Sequence, residues 1–299
     1  MHVKRAKQVL SLALAVFITL TLAACAAQTP LVESQPGTSP QDELTNEALR
    51  GRVEERYGVE INWTLEDVFI SPNAEPLRDE EIIHKFLVLL DEQLALYPDR
   101  FFYDLKEKFH HTLRFFLCSS LGGLVENSEM FGRTQRGEDT LDIAFDLTGP
   151  CWTDDWPAAT SYAGCQYVQY GLHHEIGHAL DEYIVNCAEG LPFDFYAWRA
   201  LLPAGYQYYD DFHALHGNEN IKPRDFGAPY LDESQKGVWF CDLYSQANRE
   251  EHVASLFGYA MCPSPPAHWK APHVQRQANY YFSIIRQVFG TGGWPKVIL

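Results

Sequence analysis

The run His173-His174-Glu175-Ile176-Gly177-His178 holds an HExxH pattern at His174, Glu175 and His178. On a helix turning about 100° per residue, histidines four positions apart stand about 40° apart and one turn distant, so both imidazoles can meet one metal ion. Glu175 then lies roughly 60° to the side of His178. From there its carboxylate can accept a proton from water without itself becoming a ligand. Two imidazoles and an adjacent carboxylate are the parts of a zinc-assisted hydrolysis in which Glu175 is the general base. Asp181 falls on the face of His174, where a hydrogen bond could orient a ligand imidazole. His173 has no such geometry and reads as a packing or surface residue.

The element that must carry these groups is a helix over residues 166–185. Its opposite face presents Leu172, Ile176, Leu180 and Tyr183, so its back can enter a core while its polar face meets a cleft. Zinc further needs a third protein ligand and one open position. A metzincin would carry Gly at 181 and His at 184, and the Asp181 and Ile184 found there exclude that class. A thermolysin-like enzyme would place a glutamate on a helix a few tens of residues onward, yet Phe193 to Tyr209 contains none.

Further along stands Tyr244-Ser245-Gln246-Ala247-Asn248-Arg249-Glu250-Glu251-His252-Val253-Ala254-Ser255-Leu256-Phe257. This segment resembles the glutamate helix of the anthrax lethal factor family of zinc metallopeptidases, where a tyrosine precedes the ligand glutamate by seven residues. The related Pro-Pro endopeptidases share that spacing. The first helix also resembles the family's, with His174-Glu175-Ile176-Gly177-His178-Ala179 followed by the acidic pair Asp181-Glu182 and Tyr183. The resemblance implies a zincin-like fold, one Zn2+ per chain held by His174, His178 and Glu251, Glu175 as base, and Tyr244 stabilising the oxyanion. It rests on two short segments. Between them, Trp198 to Tyr206 looks more like the zinc-binding metallopeptidase lipoproteins of bacteria.

Glu250 and Glu251 are adjacent, and only one can be the ligand. On a helix Asn248–Met261, Glu250 lies nearer the apolar stripe of Val253, Leu256, Phe257 and Ala260. Glu251 shares its face with Ala254, Ser255 and Gly258, which are small enough to let two helices approach a common metal. Close approach and the offset from Tyr244 both select Glu251, leaving Glu250 at the surface or behind the ligands.

Elsewhere, Asp79 to Tyr97 repeats apolar residues at helical spacing, and Pro98 ends the run. Thr112 to Leu117 reads as a strand, and Gly122-Gly123 breaks the chain after it. Leu141 to Leu147 alternates large apolar with small or acidic residues and reads as a strand with one buried and one outward face, closed by Gly149-Pro150. By analogy with zincins it is the candidate edge strand for binding a substrate backbone. Residues 192–243 are rich in aromatics, Gly and Pro, with only short helical pieces expected. Helices around a small sheet, without regular βαβ alternation, give an α+β class in which a helical C-terminal part carries the third ligand. The cleft is expected between residues 45–185 and 186–299.

The N-terminus reads differently. Lys4, Arg5 and Lys7 precede an uncharged stretch, Val9 to Ala24, and Leu22-Ala23-Ala24-Cys25 resembles the lipobox of bacterial lipoproteins. Residues 1–25 are thus expected to be a signal peptide, with Cys25 lipidated, and 26–44 a flexible tether to a domain at 45–299. The other six cysteines, Cys118, Cys151, Cys165, Cys187, Cys241 and Cys262, permit disulfides or buried thiols, and their spacing does not choose.

The chain has 299 residues, 46% of them hydrophobic, which suffices for a substantial core. Its 40 acidic residues against 23 Lys+Arg give a formal charge of -17, which opposes nucleic acid as a partner and leaves membrane attachment to the lipid on Cys25. The expectation is therefore an exported, membrane-anchored zinc endopeptidase, monomeric and acting on a peptide or protein. A hydrolase of a cell-wall amide fits the same residues. A non-catalytic zinc-binding lipoprotein would need neither Glu175 nor Tyr244.

Overall fold

The computed structural model describes residues 44–65, 73–121, 132–148, 167–186, 188, 190, 192–210, 226–263, 265–290 and 292–295. The expected signal peptide at 1–25, Cys25, the expected tether before Leu44, Gly122-Gly123, Gly149-Pro150, Cys151, Cys165 and Cys187 lie outside them. Leu44, expected to close the tether, already packs against the core. No helix among the described residues is long and apolar enough to cross a membrane.

Thr45 caps helix α1 (Asn46–Tyr57), which ends at Gly58 with φ 73°, a conformation that costs glycine nothing. Asp79 accepts from the Glu81 and Ile82 amides and so starts α2 (Glu80–Leu94), within the expected 79–97 span. The two helices are joined through the buried Asp91, whose carboxylate takes Arg52 at 2.8 Å and Arg56 at 3.0 Å while Tyr57 donates to its carbonyl. A short α3 (Phe101–Phe109) comes next.

The sheet has five strands: β1 (Glu60–Asn62), β2 (Glu75–Pro76), β3 (Thr112–Ser120), β4 (Gly132–Arg136) and β5 (Thr140–Asp146). Its order is β1-β3-β5-β4, with β2 beside β3. β3 runs parallel to β1 and β5, and β4 is antiparallel to β5 with Thr134 opposite Ile143. Leu113, Phe115, Leu117, Leu141, Ile143 and Phe145 face the main core.

Two expectations about the 141–147 strand need correction. Its second face is not outward: Ala144 packs with Phe116, Cys118 and Leu121, and the buried Asp142 is held by Arg114 at 2.6 Å through both oxygens. Nor is it an edge, because β5 sits between β3 and β4. Among the described residues β4 pairs with β5 alone, so the rim of the sheet is Gly132–Arg136.

Helix α4 (Tyr167–Asn186) lies across β4 and β5, burying Leu172, Ile176, Leu180 and Tyr183 as its pattern requires. After it come α5 (Phe195–Arg199), a small hairpin of β6 (Leu231–Asp232) and β7 (Gly237–Val238), and a 3-10 turn, Tyr244–Gln246. Helix α6 (Arg249–Met261) then packs along α4. The crossing is close. A Cβ on Gly177 would stand 3.1 Å from Phe257 Cβ and 3.2 Å from Ala254 Cα, so only glycine fits without movement. The amphipathic α7 (Pro272–Phe289) closes the molecule by burying Val274, Tyr281, Phe282 and Ile285. The architecture is α+β, with seven α-helices around a small mixed sheet among the described residues.

Candidate metal centre

Helix α4 places His174 and His178 one turn apart, facing the first turn of α6. Asn248 caps α6 by accepting from the Glu251 amide at 2.8 Å, which fixes Glu251 at the mouth of that helix. His174 Nε2 and His178 Nε2 lie 3.0 and 3.2 Å from Glu251 Oε2 and 3.1 Å from each other. The ligand atoms of the three residues all fall within 4.8 Å of one another, a group that can hold a metal ion. Glu250, in contrast, leaves more than half of its side chain in solvent and meets Arg249. Of the two adjacent glutamates, the structure brings Glu251 to the histidines, and the small face of Ala254, Ser255 and Gly258 lets it do so.

The electrostatics reflect this crowding. Burial opposes ionisation of Glu251, but hydrogen bonds and charge from both histidines outweigh it and hold the carboxyl well below its usual range. Burial likewise opposes a charged His178. The bond to Glu251 and the charges of Glu175, Glu251 and Asp181 overcome this and raise it to about 8. His173 is a packing residue: it is fully buried between the Tyr97 hydroxyl (3.0 Å) and Gln93 Oε1 (3.1 Å), and burial lowers it to about 3.

Glu175 is directed toward the sheet rim. Thr134 of β4 lies with its hydroxyl 2.9 Å from Glu175 Oε2 and 3.0 Å from the Glu175 carbonyl. A Cβ on Gly132 would come within 2.6 Å of Glu175 Cγ, so a residue without a side chain leaves the carboxylate its place. Tyr244 is 57% exposed, which is inconsistent with a core packing role, and its ring centroid stands 5.9 Å from that of His174. Its turn is pinned by Asp242, whose carboxylate accepts from the Ser245 amide (2.7 Å) and the Tyr259 hydroxyl (2.5 Å). Glu175, His178, Tyr244, Glu250 and Glu251 line one cleft of about 520 Å³ together with all five residues of β4, a volume typical of substrate pockets.

Asp181 does not orient an imidazole, as its helical position suggested. Both of its oxygens accept from Arg249, at 2.9 and 2.7 Å, so it ties α4 to α6 instead. Burial alone would lower the Arg249 pKa; the Asp181 bond reverses that and raises it. The imidazole partner is Tyr170, whose hydroxyl lies 3.2 Å from His174 Nδ1 and donates to Ser255 Oγ at 3.1 Å. Burial and the charge of Asp242 push this phenol well above its ordinary value, so it stays protonated at neutral pH. Tyr170 was legible in principle, being four residues before His174 on the same face. Thr134 and Gly132 left no signal, because Gly-Arg-Thr-Gln-Arg lacks an apolar alternation.

The aromatic segment supports α6 from behind. Trp198 Nε1 donates to the Tyr208 hydroxyl at 3.0 Å, which meets Nδ1 of the fully buried His252, the neighbour of Glu251, at 3.0 Å. Cys118, Cys241 and Cys262 are buried thiols rather than disulfides. Fold and site together define an α+β protein with a His-His-Glu group that could hold a metal ion, His178 and Glu251 of which line a cleft beside a sheet rim. No family model, no curated protein and no solved structure matches the chain.

Proposed function

We propose that this protein is an exported, lipid-anchored zinc endopeptidase of the zincin type, akin to the lethal factor and Pro-Pro endopeptidase group. The observation that carries the reading is the convergence of His174, His178 and Glu251, with His178 and Glu251 lining one cleft beside Glu175 and Tyr244. Two imidazole nitrogens and one carboxylate oxygen form a donor set of catalytic zinc sites. Tetrahedral ligands about 2.0–2.1 Å from zinc stand about 3.3 Å apart. The observed separations of 3.0 to 3.2 Å need to open by only a few tenths of an ångström.

The chemistry supplied by a bound Zn2+ at such a site is Lewis acidity, which polarises a carbonyl and acidifies water. Glu175, braced at Oε2 by Thr134, keeps Oε1 for the proton of the attacking water and later delivers it to the leaving amine. The Tyr244 hydroxyl donates to the developing oxyanion. The rim strand β4, rather than residues 141–147, receives the substrate backbone by strand addition. The lipobox at Cys25 supports anchoring outside the cytoplasm, with the domain acting as a monomer on peptide or protein.

The test is a diverse peptide library incubated with the purified mature protein, with and without chelator. Cleavage that disappears on chelation and returns with Zn2+ is expected. Turnover of cell-wall amides but not peptides would move the substrate class, and zinc binding without any turnover would leave a non-catalytic lipoprotein.

A further inference from the structure

We infer that Tyr170 is the positioning residue of the metal centre: its hydroxyl, anchored on Ser255, holds the His174 imidazole in the tautomer and orientation that present Nε2 to the metal. The inference rests on the zinc reading proposed for this site. A histidine that binds metal through Nε2 carries its proton on Nδ1, and a fixed acceptor for that proton sets both tautomer and ring angle. Tyr170 Oη is the group 3.2 Å from His174 Nδ1. Because its own hydrogen is given to Ser255 Oγ at 3.1 Å, the oxygen lone pairs remain to accept from Nδ1.

The surroundings restrict this phenol to one place. Its ring packs on Tyr259 at 4.4 Å between centroids, and Tyr259 is itself bonded to Asp242, which pins the Tyr244 turn. Gly258 also leaves the ring its room, since a Cβ there would stand 3.0 Å from it. Ser255 lies four residues after Glu251 on α6, so the Tyr170–Ser255 bond also sets the separation of the two helices that supply the ligands. Among the described residues His178 has no comparable hydrogen bond at Nδ1. The two ligand imidazoles are therefore held unequally, His174 by a hydrogen-bonded brace and His178 by packing and metal.

The experiment uses the full mature chain, with Tyr170→Phe and Ser255→Ala compared with wild type. Zn2+ affinity is read by competition with a chromophoric chelator, and the His174 ring protons by nitrogen-correlated nuclear magnetic resonance of the zinc-loaded protein. Tyr170→Phe keeps the ring and its stacking, so the metal-free circular dichroism spectrum should match wild type, while the melting temperature falls by a few degrees for the bond lost to the buried Ser255. Zinc affinity should fall about tenfold or more. The His174 Nδ1–H signal, slow to exchange in wild type, should exchange rapidly. Ser255→Ala, which frees the phenol to rotate, should show a smaller loss of the same sign. Unchanged affinity together with an unchanged, protected Nδ1–H in Tyr170→Phe would reduce Tyr170 to a packing residue and overturn the inference while leaving the zinc centre intact. A wild type that binds no zinc would overturn the centre, and the inference with it.

Discussion

The carboxylate of Glu175 is fixed by a single threonine hydroxyl from another element, near both its backbone oxygen and one side-chain oxygen. The amide of Glu175→Gln keeps this shape but cannot accept a proton. Turnover should fall roughly 10²- to 10⁴-fold, while elemental analysis still finds one zinc per chain. A variant that holds zinc and hydrolyses peptide at the wild-type rate would remove Glu175 from the mechanism. Tyr244 allows a different separation of effects. It is exposed beside His174, so Tyr244→Phe should leave the fold and metal untouched and lower kcat by roughly 10² to 10³, the size of one oxyanion donor. A raised KM at constant kcat would make it a substrate-binding side chain instead.

At the scale of elements, the metal group depends on how closely α4 and α6 cross. Gly177 opposite Ala254 and Phe257 permits the approach, and the Arg249–Asp181 pair locks it. Asp181→Asn should leave Arg249 charged and poorly compensated, destabilising the fold by about 3 kcal/mol, with zinc stoichiometry still one; chemical denaturation and elemental analysis check the two halves. A loss of zinc at unchanged stability would return Asp181 to the role of orienting an imidazole. Helices α4 and α6 were legible because their signals are local: ligand spacing, an apolar back face, and the small residues Ala254, Ser255 and Gly258 on one face. The features that could not be read depend on partners distant in sequence. The outward reading of Asp142 failed because Arg114 neutralises it from another strand, and Asp181 was misassigned because Arg249 lies on another helix. The rim strand β4 lacks an apolar strand period, so only pairing with β5 reveals it. The terminal helices α1 and α7 were likewise not foreseen.

The whole molecule is expected to hang from the membrane by Cys25, and Cys25→Ala should lose fatty-acid labelling in cells; equal labelling of the mutant would end the lipoprotein reading. A metal ion held by His174, His178 and Glu251 should in turn brace the folded domain. The ligands come from two helices that meet the rest of the structure on opposite sides, α4 against the sheet and α6 against the aromatic segment and α7. An ion binding only the assembled group stabilises the folded chain by about 4 kcal/mol when free zinc is about a thousand times Kd. For a domain of this size each kcal/mol moves Tm by about 2–4 °C. Chelation should therefore lower Tm by roughly 8–16 °C. Glu251→Ala should melt near the chelated wild type and ignore chelator, because the carboxylate shared by both imidazoles is gone. Glu250→Ala should respond to chelator as wild type does, since that side chain stands in solvent against Arg249. If the two variants exchange these behaviours, Glu250 is the ligand and the register of α6 against the histidines is wrong by one residue.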